Sequence, residues 1–317
     1  MRTLGASTLW LAAACLAAPH CVAAAELPAA VTLLEGPAAV LRGTTRYALA
    51  EGVRLQSGDI VEMGDKGVAQ VEFVDGLILS LGPGARLYAA ALVSRAAKTG
   101  GVSELYLMRG WVKFANSKAA APFRLSTPVF GIATAEVIGV AQIGDAEGAM
   151  FVETGEARIA EGFVKAVPSS PIRLRSGEFY TRRAEQRGSI QPRPSSAFVG
   201  AMPRPYMDNL PARAARWKDR EIQPRPLGEL AYGDVEMWLK APPEIRKVLM
   251  RPFIPRANQD VAFRSALIAN LKFHPEWDPI LFPEKYKPKP PPEPPPPPPP
   301  EPAAVEAQPA GKAGPSQ

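Results

Sequence analysis

The sequence is poor in the side chains that most often carry enzyme chemistry. Its 317 residues include two cysteines, Cys15 and Cys21, and two histidines, His20 and His274. Three of these four lie in the first 25 residues, which read as a leader removed on export. The remaining chain has no thiol and one imidazole, which excludes disulfides, a cysteine nucleophile and a thiolate or three-histidine zinc site. A Ser-His-Asp triad would depend on His274 alone.

The leader has the three parts of a secretory signal peptide. Met1 and Arg2 give a positive start, residues 4–22 contain no Asp, Glu, Lys or Arg, and residues 23–25 are alanines that precede Glu26. We therefore predict cleavage before Glu26, a periplasmic location and no transmembrane helix after cleavage. Lipid attachment at Cys15 is an alternative, although alanine stands where such sites usually have leucine. The short apolar run disfavours an uncleaved anchor helix.

Positive charge is modest overall but concentrated in one region. The formal net charge is +6, and 11 arginines fall between positions 173 and 225. Such a stretch favours an anionic envelope polymer or lipid head group, while its plainer interpretation is a solvated linker. We expect an envelope protein or peptidoglycan as partner and no nucleic acid, because no nucleic-acid motif or aromatic platform is interleaved with the arginines and the chain is expected to be exported. The predicted contact residues are Arg182, Arg183, Trp217 and Trp277.

The first half of the chain has the pattern of short strands. In residues 68–74, Ala69, Val71 and Phe73 alternate with Gln70 and Glu72, which is the period of a half-buried strand. The alternation resumes at residues 77–81 after an Asp-Gly pair. Because glycine supplies the positive φ of a tight turn, this pattern predicts a β-hairpin.

Short strands separated by glycine recur up to position 180 at uneven spacing, which favours a sandwich or a compact solenoid over a fixed-period repeat. Their order resembles the FecR domain family over residues 31–180. The motifs are Gly36 with Val40, Leu55-x-x-Gly58-Asp59-x-Val61, Ala69-x-Val71-x-Phe73-x-Asp75-Gly76-x-x-Leu79, Leu105-x-Leu107-x-x-Gly110-x-Val112 and Phe123-x-Leu125-x-Thr127-Pro128. One departure is that Ala135-Glu136-Val137-Ile138-Gly139-Val140 stands where the family commonly has Gly-Thr-x-Phe-x-Val.

The resemblance implies a mainly β, β-helical or solenoid-like periplasmic module that senses or contacts other proteins and is not an enzyme. Founding members of the family carry a cytoplasmic anti-sigma segment and a membrane helix before this module. The sequence shows neither, so direct control of a sigma factor is not expected.

Composition divides the rest of the chain. We predict a FecR-like β domain at residues 26–185, a linker rich in Pro and Arg at 186–208, a helical segment at 209–285 and a disordered tail at 286–317. Twelve prolines in residues 288–302 predict a polyproline II spacer of roughly 45 Å, at ~3.1 Å per residue.

Four helices are predicted in the helical segment. The first covers residues 210–221, the second is capped by Asp234, the third opens at Pro242-Pro243 and the fourth is capped by Asp260. Their inward positions are expected to be Val235, Trp238 and Leu239 in the second, Ile245, Val248 and Leu249 in the third, and Phe263, Leu267, Ile268 and Leu271 in the fourth.

His274 and the tryptophans each have a structural and a functional interpretation. His274 lies near Glu276 and Asp278, where it could titrate or bind a metal, but one imidazole without cysteine is a poor metal set. Trp217, Trp238 and Trp277 could stack on sugar rings, yet tryptophan at helical spacing is usually core. We therefore predict no metal, no cofactor and no catalytic residue.

Three functions remain open at this point. The first is a non-catalytic binding, scaffold or sensing protein of the cell envelope. The second is an auxiliary of cell-surface signalling that resembles iron-dicitrate sensing through an anti-sigma pathway. The third is a carbohydrate-active enzyme with paired carboxylates, for which Glu72 with Asp75 and Glu153 with Glu156 are the candidates.

Overall fold

The computed structural model describes residues 29–91, 102–117, 120, 122–161 and 170–287. The predicted leader and the proline-rich run lie outside these residues. The described chain is mainly β-structure with a smaller helical part towards its C-terminal end, as predicted. Its strands are β1 Ala29–Glu35, β2 Ala38–Arg42, β3 Thr45–Ala48, β4 Arg54–Leu55, β5 Ile60–Met63, β6 Val68–Phe73, β7 Ile78–Leu81, β8 Arg86–Ala91, β9 Ser103–Asn116, β10 Phe123–Ser126, β11 Phe130–Thr134, β12 Val137–Ile143, β13 Glu147–Glu161, β14 Ile172–Arg175, β15 Phe179–Arg183, β16 Ser189–Gln191 and β17 Arg225–Glu229.

Helices are short and follow the strands. None of the described helices is long and apolar enough to span a bilayer. The α-helices are α1 Ser196–Ala201, α2 Tyr232–Leu239, α3 Pro243–Leu249, α4 Ile254–Gln259, α5 Val261–Ala269 and α6 Asp278–Leu281, and the 3₁₀ turns are Arg204–Met207, Ala214–Trp217, Arg251–Phe253, Leu271–Phe273, Pro275–Trp277 and Pro283–Tyr286.

The strands form two sheets that share two long strands. Sheet I has the order β4-β1-β6-β7-β9-β12-β13-β15-β16, and sheet II has the order β17-β3-β2-β5-β8-β9-β10-β11-β13-β14. The first part of β9 and the last part of β13 pair in sheet II, whereas their other parts pair in sheet I. Each shared strand therefore crosses from one layer to the other.

Glycine occupies both crossing points. Gly110 in β9 has φ +98° and Gly155 in β13 has φ +87°. A Cβ at Gly110 would lie 2.4 Å from the Cα of Ala85, and one at Gly155 would lie 2.3 Å from the carbonyl oxygen of Glu136. Since both the positive φ and the close approach exclude a side chain, these glycines permit the bend.

Five strands close into a barrel. The ring runs β9-β10-β11-β13-β12 and back to β9, and its β9–β10 pair is parallel while the other four are antiparallel. This arrangement differs from the solenoid expected from the sequence. The reason is that β9 and β13 cross between layers at their glycines and bring sequence-distant strands into one ring.

Alternating strand residues divide between separate apolar clusters. In β9, Leu105 and Leu107 point between the sheets, whereas Tyr106 and Met108 join a cluster on the outer face of sheet II with helix residues such as Trp238. Sheet II is therefore buried on both faces around β2, β5, β8 and β9.

A segment at residues 196–217, here called the strap, covers the outer face of sheet I. Lys113 of β9 lies beneath the strap and is 1% exposed. Its Nζ donates to two carbonyl oxygens of the strap, those of Tyr206 (2.7 Å) and Asp208 (3.0 Å). It also donates to both carboxylate oxygens of Glu153, at 2.9 Å each. Because a buried ammonium must be fully paired, these bonds fix the strap to the sheet.

The prediction of a half-buried strand at residues 68–74 is wrong, because the strap covers the face of β6 that was expected to be in solvent. Gln70 and Glu72 are buried, and Glu72 accepts hydrogen bonds from the backbone N–H groups of Arg213 (2.7 Å) and Ala214 (2.9 Å). The strap thus binds the face of β6 that was predicted to face solvent. Period-two alternation in the sequence cannot reveal that a polar face is covered by another segment.

The helical prediction is correct in part. Asp260 caps α5, accepting from the backbone N–H of Phe263 at 3.0 Å, and α3 opens at Pro243. Asp234 lies inside the first turn of α2 instead of before it, and the helix expected at residues 210–221 is reduced to the turn Ala214–Trp217. Glu72 accepts from the backbone N–H groups of Arg213 and Ala214, and Gln70 donates to the carbonyl oxygen of Pro211. These contacts with β6 override the helical propensity of the region. Val248 and Ile268 face solvent, contrary to expectation.

The glycine corners give a test with a matched control. Gly58 also has positive φ (+94°), but a Cβ there would meet nothing within 4 Å. Gly58→Ala should lower the free energy of unfolding by about 1–2 kcal/mol, the cost of a left-handed alanine. Gly155→Ala should cost about 1–3 kcal/mol more because it also overpacks against Glu136. Urea unfolding measures both, and equal losses would show that the corner is not tightly packed.

Two tyrosine hydroxyls make a second matched pair. The Tyr206 hydroxyl of the strap donates to the carbonyl oxygen of Ser80 at 2.6 Å, whereas the buried Tyr106 hydroxyl has no hydrogen-bond partner among the described residues. Tyr206→Phe should therefore lower the free energy of unfolding by about 1–2 kcal/mol, while Tyr106→Phe should leave it unchanged or raise it. The reverse order in thermal or urea unfolding would contradict the strap contacts.

Candidate functional site

A cleft of about 630 Å³ opens on the outer face of sheet I. Its floor is formed by side chains of β9, β12, β13, β15 and β16, one wall by α1, and its rim by the turn between β15 and β16. We call it the arginine cleft, because Arg182, Arg183 and Arg187 line that rim.

The turn that carries these arginines is tight. Glu185 has φ +64°, uncommon for a residue with a side chain, and the backbone N–H of Ala184 donates to the carbonyl oxygen of Ala146 at 2.7 Å. A Cβ at Gly188 would lie 2.2 Å from the Tyr180 hydroxyl oxygen, so the turn leans closely on the sheet. The rim is therefore a shaped part of the hairpin.

The guanidinium groups of Arg182, Arg183 and Arg187 differ in how far their hydrogen bonds and ion pairs are satisfied within the described residues. Arg182 is held by the carbonyl oxygens of Gln186 (2.8 Å from Nε) and Val129. Arg183 lies 3.5 Å from a carboxylate oxygen of Glu147, and the two side chains are 72% and 62% exposed. Such an exposed pair contributes at most about 1 kcal/mol and exchanges readily. Arg187 has no hydrogen bond or ion pair within the described residues. Arg183 and Arg187 are thus available to an anion.

Aromatic packing fixes the wall of the cleft. Phe198 of α1 packs against Trp111, with ring centroids 5.1 Å apart, and against Phe179 at 4.8 Å. The Ser195 side chain caps α1 by accepting from the backbone N–H of Phe198 at 3.2 Å. Phe179 and Phe198 are buried, whereas Trp111 is half-buried, so Trp111 is the aromatic surface that a ligand can reach.

The predicted contact residues do not come together as one set. Arg182 and Arg183 share the arginine cleft. Trp217 lies elsewhere, with its ring against Gly52, where a Cβ would be 2.6 Å away. Trp277 is 1% exposed inside the cluster of helical residues, so it has no surface to offer a partner, and Trp238 is buried in the same cluster.

The two carboxylate pairs proposed for a glycosidase are Glu72 with Asp75 and Glu153 with Glu156. Neither pair lies together in the arginine cleft or in a second cleft of about 640 Å³, which Glu156 lines. Glu72 is saturated by backbone and side-chain donors under the strap, and Asp75 accepts from the backbone N–H of Leu77 at 3.2 Å in its own turn. Glu153 binds Lys113. These contacts give Glu72, Asp75 and Glu153 structural roles, and the glycosidase hypothesis gains no support from them.

His274 is a core residue of the helical part. It is 1% exposed, and its Nε2 lies 3.1 Å from the Tyr232 hydroxyl oxygen. Glu276, its sequence neighbour, instead forms a two-bond ion pair with Arg246, with both contacts at 2.8 Å. Within the described residues, no group of three His, Cys, Asp or Glu side chains could hold a metal ion. The metal interpretation of His274 therefore has no partners there.

Burial lowers the pKa of His274, and nearby Lys240 and Arg246 lower it further, partly opposed by Glu276. The folded protein thus keeps this imidazole neutral while the unfolded chain protonates it near pH 6.5. The free energy of unfolding should fall as pH drops below about 6.5. His274→Gln should flatten that dependence between pH 7 and 5 in urea titrations, even if it lowers stability at every pH. An unchanged slope would contradict a buried neutral imidazole.

Sequence reasoning missed most of the arginine cleft. Trp111, Gln142 and Ser189 lie on three different strands, and strand register alone brings them into one cleft. A local sequence signal for such a set does not exist. Arg187 belongs to the basic stretch that the sequence does show.

No family model and no curated protein matches the sequence significantly. Two crystal structures of a proposed anti-sigma factor from Parabacteroides distasonis are similar to part of the fold. The 1.65 Å structure has 16% identity and a TM-score of 0.33 over 42% of this chain and 58% of its own. The 2.50 Å structure has 15% identity and a TM-score of 0.35 over 45% and 64%. This chain therefore spans about three-fifths of those structures, and a likeness of this size assigns no function.

Proposed function

We propose that this protein is a non-catalytic, FecR-like binding module of the bacterial envelope that holds an anionic partner in the arginine cleft. The observation that carries the proposal is the pair of available guanidinium groups, Arg183 and Arg187, above a rigid aromatic wall. Guanidinium groups recognise carboxylate and phosphate by paired hydrogen bonds. In this proposal the module is periplasmic, which the secretory pattern of residues 1–25 supports.

The residues that carry the FecR resemblance support a scaffold role. Asp59 of the Gly-Asp motif is 1% exposed and binds Arg42 through two bonds of 2.7 and 2.8 Å. Thr127 of the Thr-Pro motif accepts from the backbone N–H groups of Val129 (3.1 Å) and Phe130 (3.0 Å). Both motifs thus fix turns and strand ends, so recognition falls to the surface they support.

Retention of the full chain on isolated cell envelopes tests the proposal. The double variant Arg183→Gln/Arg187→Gln should bind at least tenfold more weakly, with a reduced salt dependence. The matched control is Arg173→Gln/Arg175→Gln, which removes the same charge from exposed positions on β14 outside the cleft. It should bind within about twofold of the original chain.

If both double variants lose envelope retention equally, net charge alone explains the binding, and specific binding in the arginine cleft is contradicted. Fractionation of cells should recover the shortened chain in the periplasm, and finding the full-length chain in the cytosol would contradict the location. Cross-linked partners identified from the same envelopes would show whether the module serves in signalling, through an outer-membrane transporter or an anti-sigma partner.

A further inference from the structure

The floor of the arginine cleft carries a continuous row of side chains. Strand pairing places Trp111 opposite Gln142, Gln142 opposite Ala149, Ala149 opposite Thr181 and Thr181 opposite Ser189. The row crosses five adjacent strands, from β9 to β16. At about 4.8 Å between strands its length is roughly 19 Å. All five residues line the cleft.

The chemistry of the row changes from one end to the other. The half-buried ring of Trp111 stands at the β9 end. An amide from Gln142 follows, then the hydroxyl groups of Thr181 and Ser189, whose oxygen atoms are 3.1 Å apart. Arg183 lies on β15 two residues after Thr181, opposite Glu147 of β13, and Arg187 lies in the turn two residues before Ser189. Both arginines therefore flank the hydroxyl-bearing part of the row. A ligand along the row would meet an apolar ring face at one end and polar donors and acceptors towards the other, with positive charge beside the hydroxyl groups.

Main-chain recognition is unavailable along most of the row. The strands β9, β12, β13 and β15 are paired on both sides, so their backbone N–H and C=O groups are used within the sheet. A peptide that binds by strand addition needs such groups at a sheet edge. The row instead offers hydroxyl, amide and ring surfaces, which suit a ligand rich in hydroxyl groups with apolar ring faces.

Building on the proposed function, we infer that the arginine cleft binds an oligosaccharide that carries carboxylate groups. A sugar ring packs on Trp111, hydroxyl groups bond to Gln142, Thr181 and Ser189, and a carboxylate pairs with Arg183 and Arg187. An acidic peptide is the competing occupant.

Calorimetric titration of the full chain separates these occupants. The probes are a short oligogalacturonate, its neutral methyl ester of equal length and an oligoglutamate peptide. The oligogalacturonate should bind at least tenfold more tightly than the other two. Arg183→Gln/Arg187→Gln should bring its affinity down to that of the methyl ester. Gln142→Ala should weaken both sugars about fivefold, whereas the control Gln56→Ala, exposed and outside the cleft, should not.

Tighter binding of the peptide than of the oligogalacturonate would overturn this inference and leave the proposed function standing. The same holds if neither sugar binds while the arginine double variant still loses envelope retention. If envelope retention is also unaffected by that variant, the proposed function fails together with the inference.

Discussion

The bends of two strands at Gly110 and Gly155 are the constraint on which the rest of the structure depends. Each bend carries one strand from one sheet into the other, β9 from sheet II into sheet I and β13 from sheet I into sheet II, so that the two layers share both strands. The corner backbones approach neighbouring segments too closely for a Cβ. The five-strand barrel, the shared core and the alignment of the cleft floor all follow from these crossings, because a shift of one residue would turn every side chain to the opposite face.

The outer face of each sheet is covered in part, in different ways. Helices cover sheet II through apolar contacts that include Trp238 and Trp277. The strap covers part of sheet I, both through polar bonds to the buried Lys113 and Glu72 and through apolar packing that includes Phe198. The buried charges of Lys113 and Glu72 each need partners in the strap, since an unpaired buried charge costs several kcal/mol. These paired contacts set the position of the strap, including its helix α1, and the arginine cleft lies beside that helix.

The sequence predicts what is local and leaves open what depends on distant partners. The hairpin around Asp75-Gly76 and the Asp260 cap of α5 are confirmed, because turn chemistry and capping act within a few residues. The second covering layer over β6 was missed, since a buried Glu72 reads the same as an exposed one. The cleft row was missed as well: its members are neighbours only after five strands find their register. Arg183 was within reach of sequence reasoning, whereas Trp111 was not.

Native-state hydrogen exchange of β9 tests the central constraint most directly. If the shared strands hold both layers, the amides of Leu107 and of Val112, on either side of Gly110, should exchange only through the same global opening, with equal free energies and equal dependence on denaturant. Separate opening of the two parts of β9, with one exchanging at a clearly lower free energy, would show that the sheets unfold independently and would contradict the account.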